Sequence, residues 1–159
     1  MSVFFEYFAA VDDAAAAALI DWPCGPGIVP KLPFFRKPSP GYRVVNAPGI
    51  DPVVCLGQFE ELLTGRSFGD QLDDPNSGRE IAIRDGGKRL IFGISVDFID
   101  ALSAVGDDKL NELAGPWSGI EEFYGQADPA LLASFLRQLR SLASTAKQNG
   151  ELVYCSIIV

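Results

Sequence analysis

Apolar residues recur along this 159-residue chain at strand spacing in some segments and at helical spacing in others. Val3–Phe8 reads V-F-F-E-Y-F, an aromatic run interrupted on one face by Glu6, which predicts a first strand. Asp12 or Asp13 then caps a run of five alanines followed by Leu19 and Ile20, a strong helix former that must stop at Trp22-Pro23. Asp51-Pro52 is a helix start, with Asp as cap and proline in the first turn. The apolar positions Val53, Leu56, Phe59, Leu62 and Leu63 follow at helical spacing up to Thr64-Gly65. Arg66–Arg79 is polar and reads as a loop or a short turn-bearing segment.

Glu80–Arg84 and Lys88–Ile94 flank Asp85-Gly86-Gly87, whose glycines supply positive φ cheaply, so a β-hairpin is predicted. Ser95 caps a helix over Val96–Ala104 that buries Phe98, Ile99 and Leu102. A shorter helix is expected over Asp107–Leu113, stopped by Gly115-Pro116, and Ser118-x-x-Glu121 has the form of a capping box. Asp128-Pro129 opens the longest helix. Its apolar stripe is Leu131, Leu132, Phe135, Leu136, Leu139, Leu142 and Ala146, and Asn149-Gly150 ends it. Glu151–Val159 closes the chain as a strand apolar enough for the middle of a sheet.

These elements predict a single α+β domain over residues 1–159. Its sheet is mixed or antiparallel, with a β-hairpin near 80–94, several helices, and a long C-terminal helix followed by a final strand. Residues 23–48 stand apart. Seven of the eleven prolines lie there, and Trp22, Ile28, Val29, Leu32, Phe34, Phe35 and Tyr42 are too apolar to leave in water. A Pro-rich loop laid over the body and anchored by those side chains is expected, with at most a short strand around Tyr42–Val45.

Charge sharpens this picture. The net charge is −8, yet between Trp22 and Ile50 the chain carries Lys31, Arg36, Lys37 and Arg43 with no acid. The basic loop either packs on an acidic body or meets an acidic partner. An acidic surface repels nucleic-acid phosphates, so no nucleic-acid partner is expected. No apolar run approaches the length that crosses a bilayer, the first residues lack a basic leader, and Cys24, Cys55 and Cys155 are scattered. A cytoplasmic protein without disulfides, membrane span or zinc knuckle is expected.

The chemistry is sparse. With no histidine there is no imidazole base or ligand, and neither a nucleotide-binding glycine loop nor a nucleophile elbow is present. Ser144-x-x-Lys147 matches S-x-x-K, but it sits at a helix carboxyl end, where the dipole keeps lysine charged, and the companion S-D-N and K-T-G segments are absent. Glu60/Glu61 and Glu121/Glu122 are adjacent pairs that point about 100° apart on a helix and form no dyad. No catalytic, cofactor-binding or metal-binding residue is assigned, and no cofactor is expected. The segment Gly115–Tyr124 offers a candidate partner-binding set: Trp117, Glu121, Glu122 and Tyr124, an aromatic–acidic mixture found at interfaces. The competing reading has Trp117 plugging the core beside the long helix.

The L-E-E-type helix ending Leu62-Leu63-Thr64-Gly65, the Gly115-Pro116-Trp117 junction, the long helix and the K-Q-N-G-E-L-V-Y ending resemble the YfbM-like proteins. That resemblance covers Gly49 to Val159 plus the first strand and helix. It implies a small bacterial α+β domain of the cytosol and brings no catalytic residue with it. The leading expectation is therefore a non-catalytic binding or interaction protein, in one form an inhibitor or immunity-like protein whose acidic face meets a basic protein partner. The alternative is a small-molecule-binding or weakly enzymatic domain with a pocket between sheet and helices. A homodimer is a third reading.

Overall fold

The computed structural model describes residues 2–30 and 41–159. Among them five strands form one antiparallel sheet: β1 (Phe4–Ala10), β2 (Val44–Asn46), β3 (Arg79–Arg84), β4 (Arg89–Gly93) and β5 (Leu152–Ile158). Their spatial order is β2-β1-β5-β4-β3, so the final strand is central, as its apolar sequence predicts. The helices are α1 (Asp13–Ala17), α2 (Val54–Thr64), α3 (Phe68–Asp73), α4 (Val96–Ala104), α5 (Asp107–Ser118) and α6 (Pro129–Gln148). The chain is an α+β domain, and no helix among the described residues is long and apolar enough to cross a membrane.

Strand alternation divides the core in two. Tyr7, Val153, Cys155 and Ile157 face a layer built from α2, α4, α5 and α6. On the opposite face Phe8, Ile91 and Tyr154 pack with Leu19 and Ile20 from the turn after α1. The largest side chain of the helical layer is Trp117. It is fully buried, its ring lies 5.0 Å from that of Phe59 and 5.5 Å from that of Phe123, and its Nε1 donates to the Cys55 carbonyl at 2.9 Å. Tyr7, equally buried, donates its hydroxyl to the Ile50 carbonyl at 2.9 Å. Each polar tip is therefore satisfied while its ring fills the core.

The other face is tied by Asp13, whose carboxylate accepts from Arg79 at 2.9 Å and from the Tyr154 hydroxyl at 2.7 Å. Those two bonds hold the Asp13 carboxyl below the usual carboxylate range. Beside it, Trp22 and Tyr42 meet at 6.1 Å and Tyr42 reaches Phe8 at 6.0 Å, so both anchor the ends of the Pro-rich loop as expected. Ile28 does not anchor it, being 43% exposed. Lys31, Leu32, Phe34, Phe35, Arg36 and Lys37 lie outside the described residues. Arg43 donates to the Ser141 hydroxyl at 3.0 Å.

Three local expectations are corrected. The helix expected to stop before Gly115-Pro116 continues to Ser118, because Leu110, Leu113, Ala114 and Trp117 fall on one buried stripe. Burying that indole outweighs the helix penalty of proline, which in the last turn is below the ~3 kcal/mol of a central position. Ser118 consequently caps nothing: its hydroxyl turns back to the Gly115 carbonyl at 2.6 Å, and Ile120 opens the next 3-10 turn, Glu121–Phe123. The polar stretch after Gly65 contains α3, capped by Ser67 accepting from the Asp70 amide and held by buried Gln71.

These placements separate two aromatic residues that lie close in sequence. Trp117→Ala is expected to lower the unfolding free energy by about 3–5 kcal/mol through the cavity it leaves. Tyr124→Ala, which removes a ring 85% exposed, is expected to stay within about 0.5 kcal/mol of the parent. Urea denaturation of the two variants checks both.

Candidate functional site

The aromatic–acidic segment is only partly a surface. Trp117 belongs to the core and offers nothing to a partner, because the α5 stripe turns it inward. Glu121 is exposed, and half-buried Glu122 accepts from Gln58 Nε2 at 2.7 Å, which fixes its carboxylate over α2. Tyr124 ends the turn with φ +51° and ψ +30°, a left-handed conformation that costs a bulky residue about 1–3 kcal/mol. That geometry throws its ring into solvent. Exposed Glu121 and Tyr124 thus flank half-buried Glu122 on one ridge.

Beside this ridge runs a groove of about 680 Å³. One wall is the connection from β2 to α2, residues 46–50, and the other is the turn after Glu122 with the first turns of α6. Pro48, Ile50, Phe123 and Leu131 make it apolar, Glu122 and Asp128 are its acids, and no lysine or arginine among the described residues lines it. Leu131 is 70% exposed. The periodicity of the long helix places Leu131 in the core stripe, and the structure moves it out. The buried arc begins at Leu132 and Ala133, and Leu131 lies at its edge, where the helical layer ends. Asp128 is fixed by accepting from the Ala130 amide at 2.9 Å, so it sits at the groove mouth as the cap of α6.

A second concavity of about 140 Å³ lies between α2, α3, α4 and the end of β4. Val53, Leu56, Gly57 and Glu60, at helical spacings of three and four, turn one face of α2 toward it. Gly57 allows α3 to close on α2, since a side chain there would collide with the Phe68 ring at 2.8 Å. Glu60 and Glu61 diverge, as adjacent helix positions must. Glu61 accepts from the Phe68 amide at 2.7 Å at the surface, whereas Glu60 is only 6% exposed. Burial raises the Glu60 carboxyl above the usual range, Asp97 and Asp74 push it the same way, and Arg66 opposes them.

On the other face of the sheet, half-buried Glu6 lies under the Pro23–Gly27 turn, and its Oε2 has no hydrogen-bond partner among the described residues. Gly25, with φ +77°, sits where a side chain would strike that oxygen. Burial raises the Glu6 carboxyl too.

Covalent chemistry finds little support in these surroundings. Burial pushes the Cys55 thiol up to about 12 and raises Cys155 as well, so neither is a thiolate at neutral pH. The Lys147 ammonium is 3.0 Å from Asp100, which holds the proton on the nitrogen that an S-x-x-K base must release. Comparisons with protein-family models, curated proteins and solved structures find no match for this chain.

The buried Glu60 carboxyl has a pH signature of its own. Its folded pKa is raised, so the native protein keeps a proton that the unfolded chain releases. Its effect on stability is therefore most favourable below the ordinary glutamate pKa and declines as pH rises through the raised value. Glu60→Gln is expected to melt above the parent at pH 8, with the gap closing toward pH 4. Paired thermal melts across that range check it, and a gap independent of pH contradicts it.

Proposed function

We propose that this chain is a non-catalytic interaction protein that docks a basic, apolar-tipped segment of a partner protein in the groove between residues 46–50 and the start of α6. The observation that carries this reading is the grouping of Tyr124 and Leu131, at 85% and 70% exposure, around a groove whose charged lining among the described residues is acidic. Large apolar groups clustered at the surface mark contact sites, and an exposed aromatic beside a pocket is the kind of residue on which binding energy concentrates. The strained backbone at Tyr124 supports the same reading, because local structure alone favours a glycine or asparagine there. The net charge of −8 steers a basic partner toward the ridge.

In its most specific form the protein is an inhibitor of immunity type, whose groove and acidic ridge occlude a basic surface of the protein it neutralises. A reducing, cytoplasmic location suits three free cysteines, two of them buried far from one another in sequence. Kinship with the YfbM-like proteins of bacteria is part of this proposal, supported by the sequence motifs.

Affinity capture with the wild-type chain, Tyr124→Ala and the double variant Glu121→Lys/Glu122→Lys tests the proposal. The expected result is a basic protein held by wild type at low salt and released at high salt. Tyr124→Ala weakens its affinity about 30-fold, the effect of losing one anchor of ~2 kcal/mol, and the charge reversal abolishes capture. Equal retention by all three proteins overturns it.

A further inference from the structure

The cavity beneath α3 shares no lining residue with the groove, and its chemistry is different. Glu60 lines it with 6% exposure, and no described residue donates a hydrogen bond to its carboxylate or comes within ion-pair distance of it. Arg66, whose charge acts on Glu60, is committed to Asp74 at 2.6 Å. A carboxylate on a residue this buried, lining an open-mouthed cavity without a described partner, leaves room for a partner from outside.

The rest of the lining agrees with a donor-rich visitor. Ser77 Oγ is buried with no partner among the described residues. Gln71 spends its amide nitrogen on the carbonyls of Gly57 and Arg66, at 2.9 and 3.2 Å, and so keeps its oxygen as an acceptor. Among the described residues, no lysine or arginine lines the cavity. The amino end of α4, which would otherwise attract an anion, is already capped by Ser95 and carries Asp97 in its first turn. Phe68 and Phe98 supply apolar wall, and aromatic rings tolerate a cation nearby. A volume of about 140 Å³ is close to that of a cavity of about 150 Å³ that takes up benzene, so the occupant has about six non-hydrogen atoms.

We infer that this cavity binds a small organic cation, a primary ammonium on a short apolar stem, with the ammonium on Glu60 and the stem against the aromatic wall. Ser77 and the Gln71 oxygen take up the remaining N–H groups. No bond is made or broken, so the site is one of recognition, and it stands independently of the docking groove.

The test is an NMR titration of the full chain with n-butylammonium at neutral pH, and with butan-1-ol as the uncharged isostere. Saturable binding is expected, with shifts confined to residues around 52–60, 68–78 and 93–98. The alcohol and the Glu60→Gln variant are each expected to bind at least 10-fold more weakly, while Tyr124→Ala binds like wild type. Ser77→Leu fills the cavity without touching the charge. It is expected to abolish binding, and it tests the cavity separately from the charge. Absence of saturation overturns the inference, as does equal affinity for the alcohol or undiminished binding by Ser77→Leu.

Discussion

Strand β5 constrains everything around it. It is hydrogen-bonded to β1 on one edge and β4 on the other, and Val153 through Ile157 are buried without a break. A strand enclosed in this way needs apolar cover on both sheet faces at once. On one face the cover is α6, whose twenty residues set the length of the helical layer and against which α4 and α5 pack. Trp117 and Tyr7 then fasten that layer to the start of α2 and the loop before it, through the carbonyls of Cys55 and Ile50. On the opposite face α1 is only five residues long, and the remaining area falls to its 3-10 continuation and to Trp22 and Tyr42. Cover by irregular chain explains why Glu6 ends up beneath a glycine turn, with an oxygen that has no partner among the described residues.

The same division explains where function is available. Among the described residues, the groove and the small cavity both lie where elements end. The groove opens where α6 begins and its buried arc has not yet started, so Leu131 is left in solvent beside the loop after β2. The small cavity opens where α2 passes from the sheet toward α3, with Glu60 directed to it by the helical repeat. The two openings differ in kind. One is long, apolar and rimmed by acids, suited to a protein segment, whereas the other is small and polar, suited to a single charged group.

Local chemistry in the sequence anticipates much of this fold. Asp12, Asp51, Ser95 and Asp128 all accept from backbone amides at helix starts, because a cap depends on residues two or three positions away and nothing more distant. The hairpin through Asp85-Gly86-Gly87 and the central final strand follow from equally local or strongly periodic signals. What the chain conceals is whatever depends on tertiary contact. Gly115-Pro116 signals a stop that the burial of Trp117 overrides, and Leu131 follows the helical repeat until the layer it should pack on runs out. Glu60 looks like any helix-surface acid until α3 folds over it, and that closure rests on Gly57, a residue with no side chain to announce its role.

The central claim is that partners meet this protein at the Tyr124–Leu131 groove and not elsewhere on its surface. A photo-crosslinking amino acid placed at Tyr124 and, in a separate protein, at exposed Ile83 on the β3 edge of the sheet tests it most directly in living cells. The account predicts a discrete adduct from position 124, joined to a basic segment of another protein, and none from position 83. Adducts of the same kind from both positions, or from neither, contradict it.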